Sequence, residues 1–87
     1  MQLLPIGSVV LLGNEDCRTL IFGRCYRDDK TGEEYDYVGC EYPAGIQSCD
    51  QVRLFNQRDI KIVFSIGYQD MEEFLLRAEL EKGRQAT

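Results

Sequence analysis

Apolar and polar residues alternate along most of the chain, and the alternation divides it into five strands and one helix. Gly7 to Leu12 is rich in β-branched and aliphatic residues and reads as a first strand, with Pro5 placed just before it, where no ladder donor is needed. Gly13-Asn14-Glu15-Asp16 is a turn signal, and Arg18 to Tyr26 reads as a second strand in which Leu20 and Phe22 alternate with Thr19, Ile21 and Gly23. The two form a hairpin candidate. A polar loop over 27–34 leads to a third strand, Tyr35 to Tyr42. There Tyr35 and Tyr37 share one face, and Val38, Cys40 and Tyr42 share the other. Pro43-Ala44-Gly45 ends it, and 46–51 fits no template. Val52 to Phe55 makes a short fourth strand. Asn56 to Asp59 reads as a turn or a single helical turn, with Asn56 able to cap it. Ile60 to Ile66 is the strongest strand of the chain, and Gly67 ends it.

The last pattern has helical spacing and spans 70–82, with 83–87 as a frayed tail. Asp70 and Glu73 have the spacing of a capping box, Asp70, Glu72 and Glu73 favour the positive end of the helix dipole, and Gly83 is the expected stop. Met71, Phe74, Leu75 and Ala78 fall on one face and are expected to pack on the sheet. Leu76 and Leu80 form an i, i+4 pair on nearly the opposite side. A single-sided surface helix has no structural need for them, so they are candidates for a partner-docking strip. Tyr35 and Tyr37 are the second candidates, because a tyrosine buries its ring while its hydroxyl stays wet. The competing reading makes all four core or tolerated surface residues.

The expected fold is therefore α+β: a small twisted antiparallel sheet of about five strands with one C-terminal helix packed on it. The early hairpin suits an SH3-like barrel, and an open sheet is the alternative. The 87 residues fit a single domain, 1–87, with its sheet over 7–66.

Composition narrows the chemistry. Ten basic and fifteen acidic residues give a net charge of −5, which argues against nucleic-acid partners and anionic membranes. No stretch approaches the length needed to insert in a membrane. The apolar run over 3–12 lacks a basic flank and a cleavage site, so the expected location is cytoplasmic. There is no His, which excludes imidazole catalysis and His-ligated metals. Cys17, Cys25, Cys40 and Cys49 form no close pair of the kind structural zinc uses, and reduced thiols are expected over disulfides. Residues 28–34 (DDKTGEE) look like a calcium loop only superficially: Lys30 takes a ligand slot, and the position six after Gly32 is Val38. No phosphate-binding glycine motif and no nucleophile with a plausible base are present. No catalytic residue, cofactor or metal is implied, and an enzyme is not expected. Charge is uneven, however. Residues 28–50 carry seven acidic side chains and one basic, whereas 51–69 carry one acidic and three basic. Such an acidic stretch either steers a basic partner or is a solvated loop.

Four segments, LPIGSVVLL (4–12), YDYVGCEYPAG (35–45), LFNQRDI (54–60) and GYQDMEEFL (67–75), taken in this order, resemble a family of short domain-of-unknown-function proteins of Gram-positive bacteria. Members are found beside type VII (ESX-like) secretion genes and LXG toxins. The resemblance implies a cytosolic, non-catalytic accessory factor: a chaperone-like or targeting adaptor that binds an LXG-type toxin or another secretion component. An immunity protein that neutralises a neighbouring toxin is the second reading, and a homodimeric module is the third. The resemblance transfers no functional residue, and the four cysteines depart from the family's pattern.

Overall fold

A computed structural model describes residues 2–13 and 15–85, with the side chains of 84 and 85 left out; Asn14 of the first turn and the end of the expected tail lie outside the described residues. The strands are β1 (Val9–Leu12), β2 (Arg18–Arg27), β3 (Glu34–Tyr42), β4 (Arg53–Phe55) and β5 (Ile60–Ser65), followed by one helix, α1 (Met71–Gln85). All neighbours are antiparallel and the sheet order is β4-β3-β2-β1-β5. The fold is α+β, as the alternation predicts. The sheet is not closed, which corrects the barrel expectation: β4 is three residues long and pairs only with β3, so it offers β5 no ladder.

The polar segments between strands are explained by their own hydrogen bonds. In the β2–β3 hairpin the Asp28 carboxylate accepts from the Lys30 N–H at 3.0 Å and the Thr31 hydroxyl at 3.3 Å, so Asp28 organises the turn. The unassigned stretch contains a single 3₁₀ turn, Cys49–Gln51, in which the Gln51 side chain accepts from the Gln47 and Ser48 amides. A second 3₁₀ turn, Gln57–Asp59, carries the chain from β4 to β5. It is clasped to β3: the Asp36 amide donates to Asn56 Oδ1 at 2.9 Å, and the Gln57 amide donates to Asp36 Oδ2 at 2.8 Å.

Leu3, Val10, Leu12, Ile21, Tyr37 and Phe55 form the core, with Leu4, Cys25, Ile60 and Leu80 packed against it. The Tyr37 and Phe55 rings meet at 5.4 Å. No disulfide joins the four cysteines; Cys40 is buried, while Cys17 and Cys49 are exposed.

Helix α1 corrects two expectations. It continues past Gly83 to Gln85, so that glycine is not its stop. Its apolar stripe also faces the other way. Glu73, Arg77, Leu80 and Glu81 are the partly buried positions, whereas Met71, Phe74, Leu75 and Ala78 are exposed. The reason lies at the N-terminus: Leu3 and Pro5 are buried and Leu4 packs on the core, which fills the space an apolar helix face would take. The helix is fastened to this segment and to β2 by polar groups. The Leu3 amide donates to Glu81 Oε1 at 2.7 Å, and Arg77 donates to the Leu3 carbonyl at 3.4 Å. Arg24 of β2 makes a two-pronged pair with Glu73, 2.7 Å at each contact.

Candidate docking surface

The four candidate residues fall in three different environments. Tyr37 has no exposed surface and belongs to the core, which corrects its place as a docking residue. Period-two alternation put Tyr35 and Tyr37 on one face but could not say that this face is the inner one. Its hydroxyl accepts from the Leu4 amide at 2.9 Å and donates to Gln57 Oε1, tying the N-terminal segment and the second 3₁₀ turn to β3. Burial pushes the Tyr37 phenol above the ordinary tyrosine range. Tyr35 is half-buried and its hydroxyl donates to Glu33 at 2.8 Å. That bond to a carboxylate likewise raises the Tyr35 phenol. Leu80 packs against the core, whereas Leu76 is exposed. The two leucines therefore do not make a shared strip.

Because Tyr37 is buried in its neutral form, its contribution to stability is complete below pH 10.0, the ordinary tyrosine value, and is lost as the pH rises through its own higher value. In an alkaline titration followed by phenolate absorbance, one tyrosine should ionise only as the near-UV CD signal collapses. Tyr37→Phe should remove that step and cost about 1–2 kcal/mol through the unsatisfied Leu4 amide and Gln57 side chain.

The structure replaces the leucine pair with a larger surface. Fourteen large apolar side chains are exposed among the described residues, and nine of them lie between Ile62 and Leu76: Ile62, Val63, Phe64, Ile66, Tyr68, Met71, Phe74, Leu75 and Leu76. Scattered exposed hydrophobes are ordinary, whereas contiguous exposed apolar patches are the kind of surface that partners use. Three of the nine lie on the edge strand β5, two (Ile66 and Tyr68) on the connection after it, and four on α1. On the helix, Met71, Leu75 and Ala78 recur at i, i+4 and i+7 directly opposite the inward Glu73, Arg77 and Leu80. Met71 is 68% and Leu75 63% exposed, values typical of side chains with no partner within their own chain. Asp70 begins the helix, its carboxylate accepting from the Glu73 amide at 3.0 Å. The Arg77 guanidinium lies 5.2 Å from the centre of the Phe74 ring, bordering the stripe with positive charge.

Residues 3–76 match the sequence pattern of a domain of unknown function. The chain belongs to the DUF4176 family. No curated protein and no solved structure matches it. In this DUF4176 chain the matched stretch takes in all nine exposed apolar residues and ends before Leu80.

Other parts of this DUF4176 domain offer less. A cleft of about 320 Å³ is lined by Glu41, Ala44, Gly45, Asp50, Gln51, Val52 and Arg53. Its cation, Arg53, is already held by Glu15 at 2.5 Å and Glu41 at 3.7 Å. Among the described residues, no three His, Cys, Asp or Glu side chains are grouped to hold a metal ion. None of the described helices is long and apolar enough to cross a membrane.

Proposed function

We propose that this protein is a non-catalytic protein-binding accessory factor whose outward α1 stripe docks a partner helix. The observation that carries the reading is the inverted helix. An amphipathic helix held to its own domain by Glu73, Arg77 and Glu81 presents Met71, Leu75 and Ala78 to the solvent. Flanked by Phe74 and Leu76, these side chains form the i, i+4, i+7 ridge used in helix-in-groove and helix–helix recognition. The resemblance supplies the partner class: the helical N-terminal region of an LXG-type toxin in type VII secretion, with this protein acting in the cytosol as chaperone or targeting adaptor.

The test is co-purification of the tagged protein with an LXG-type toxin of the same genome, divided into N- and C-terminal halves. The N-terminal half should be retained. Met71→Asp combined with Leu75→Asp should weaken retention at least tenfold and leave the far-UV CD spectrum unchanged, as expected for two central interface anchors. Leu80→Asp should instead lower the melting temperature, because Leu80 packs on the core. Retention of the C-terminal half alone would overturn the adaptor reading in favour of immunity and direct attention to the acidic stretch over 28–50.

A further inference from the structure

The outward face of α1 carries more than an apolar stripe, and its borders specify the charge of what lies on it. Met71, Leu75, Ala78 and Lys82 follow one another at spacings of four, three and four, the heptad spacing of a helix–helix seam. Glu72 and Glu79 come one residue after Met71 and Ala78, so both stand on the same border of the seam, the side that Leu76 shares. Both are exposed, and neither is in an ion pair among the described residues. The other two carboxylates of the helix point inward and are engaged, Glu73 by Arg24 and Arg77, and Glu81 by the Leu3 amide. The opposite border is formed by Phe74, with the Arg77 guanidinium against its ring. One border of the seam is therefore acidic and the other is aromatic.

We propose that the occupant of this face is an amphipathic helix of a partner chain that carries Lys or Arg, at a seven-residue spacing, along the flank facing Glu72 and Glu79. This rests on the docking reading above and adds the chemistry of the partner to it. Charge complementarity selects the flank: acidic residues bordering an apolar seam favour partners whose facing positions are basic and repel those whose facing positions are acidic. The spacing follows from Glu72 and Glu79 themselves, which lie two turns apart on one line of the helix. The same charges argue against a second copy of this chain. An antiparallel α1 would set the two acidic borders against each other, and a parallel one would face Glu79 with the uncharged Phe74. Neither arrangement gives the glutamates a cation.

Two synthetic heptad peptides with the same leucine seam, one with Lys and one with Glu at the flanking positions, test this by calorimetric titration of the full chain. The Lys peptide should bind about tenfold more tightly than the Glu peptide at low salt, and added salt should narrow the gap. Glu72→Gln with Glu79→Gln should remove most of that preference. The whole chain has a net charge of −5 and attracts any basic peptide, so Asp29→Asn with Glu34→Gln removes two exposed charges elsewhere as the control. That control should leave the preference within about twofold of the wild type. Equal binding of the two peptides overturns the proposal. So does binding of neither, a preference that survives Glu72→Gln with Glu79→Gln, or one that the control pair removes as readily. Met71→Asp with Leu75→Asp separates this proposal from the docking reading, since it should abolish binding of both peptides. If the Lys peptide still binds that variant, the stripe is not the site and both fall. If that variant loses both peptides while Glu72→Gln with Glu79→Gln binds them as the wild type does, the stripe docks helices and only the basic flank is wrong.

Discussion

Replacing Arg24 with Met should cost the fold about 3 kcal/mol, and replacing Glu73 with Leu should cost more, towards about 5 kcal/mol. The two side chains are 3% and 11% exposed and meet at 2.7 Å. Removing either strands a charge in a poorly solvated place, and the penalty for that exceeds the worth of the pair itself. The two substitutions are not equivalent, which makes the prediction sharp. Without Arg24, Glu73 still has Arg77 at 3.8 Å. Without Glu73, Arg24 is left with the Leu4 carbonyl at 3.5 Å as its remaining contact of known geometry. The double variant Arg24→Met with Glu73→Leu should recover most of the loss, since a packed apolar pair of similar volume roughly matches a buried ion pair. Urea denaturation of the four proteins closes the cycle. A domain of this length holds roughly 4–13 kcal/mol in all, so the single variants should show a large fall in midpoint. Equal and small losses would mean that the helix is not held by this pair.

Gly67→Ala should be comparably damaging, at about 3 kcal/mol or more. A Cβ at this position would stand 2.0 Å from the Ile6 carbonyl oxygen and 2.8 Å from its carbon. Both neighbours are backbone, so no side chain can turn aside. The site is also a junction of three segments. The Gly67 amide donates to Ser8 Oγ at 3.0 Å, and the Ser8 hydroxyl donates to the Pro5 carbonyl at 2.8 Å. The Gly7 amide in turn donates to the Ile21 carbonyl of β2 at 2.8 Å. Pushing residue 67 outward would break this chain where β5 hands over to α1. Gly83→Ala is the control: it lies within α1 with nothing inside 4 Å of the new methyl. There alanine should stabilise by about 0.5–1 kcal/mol, since glycine in a helix interior loses the most backbone freedom. Thermal melts of the two variants should move in opposite directions.

The strands were legible because β-branched runs and period-two alternation are local properties, and each of the five falls within two residues of its place in the sequence pattern. The turn at Asn56 was legible from its local residues; there the Asn56 amide donates to Asp59 Oδ2 at 2.9 Å, while Asn56 Oδ1 also accepts from the distant Asp36 amide. Orientation was not legible. The stripe Met71, Phe74, Leu75, Ala78 is real, but the rule that an apolar face turns to the core fails when other residues already fill that core. Here Leu3, Leu4 and Pro5 do so from the far end of the chain. The decisive contact, Arg24 with Glu73, spans 49 residues and has no local signature; β2 carries Arg18, Arg24 and Arg27, and nothing in the pattern singles out Arg24. Tyr37 was misplaced for a related reason. Alternation sorts residues into two faces, and only the connectivity of the sheet says which face is covered.

The sheet order also dictates a sequence of events. Of the five described strands, β1 precedes the others in the chain and is interior to the sheet, and one of its two neighbours is the fifth, β5. The Leu3 amide waits for Glu81, 78 residues later. During synthesis the β2–β3 hairpin can form as soon as it emerges, but β1 keeps a bare edge until residue 65 has been made, and the N-terminal segment has no lid until Glu81 follows. Contacts of such long range slow the search for the native state into the millisecond-to-second regime of β-rich domains. The pairing of β1 with β5 and the bond from residue 3 to residue 81 thus join segments that are made far apart in time.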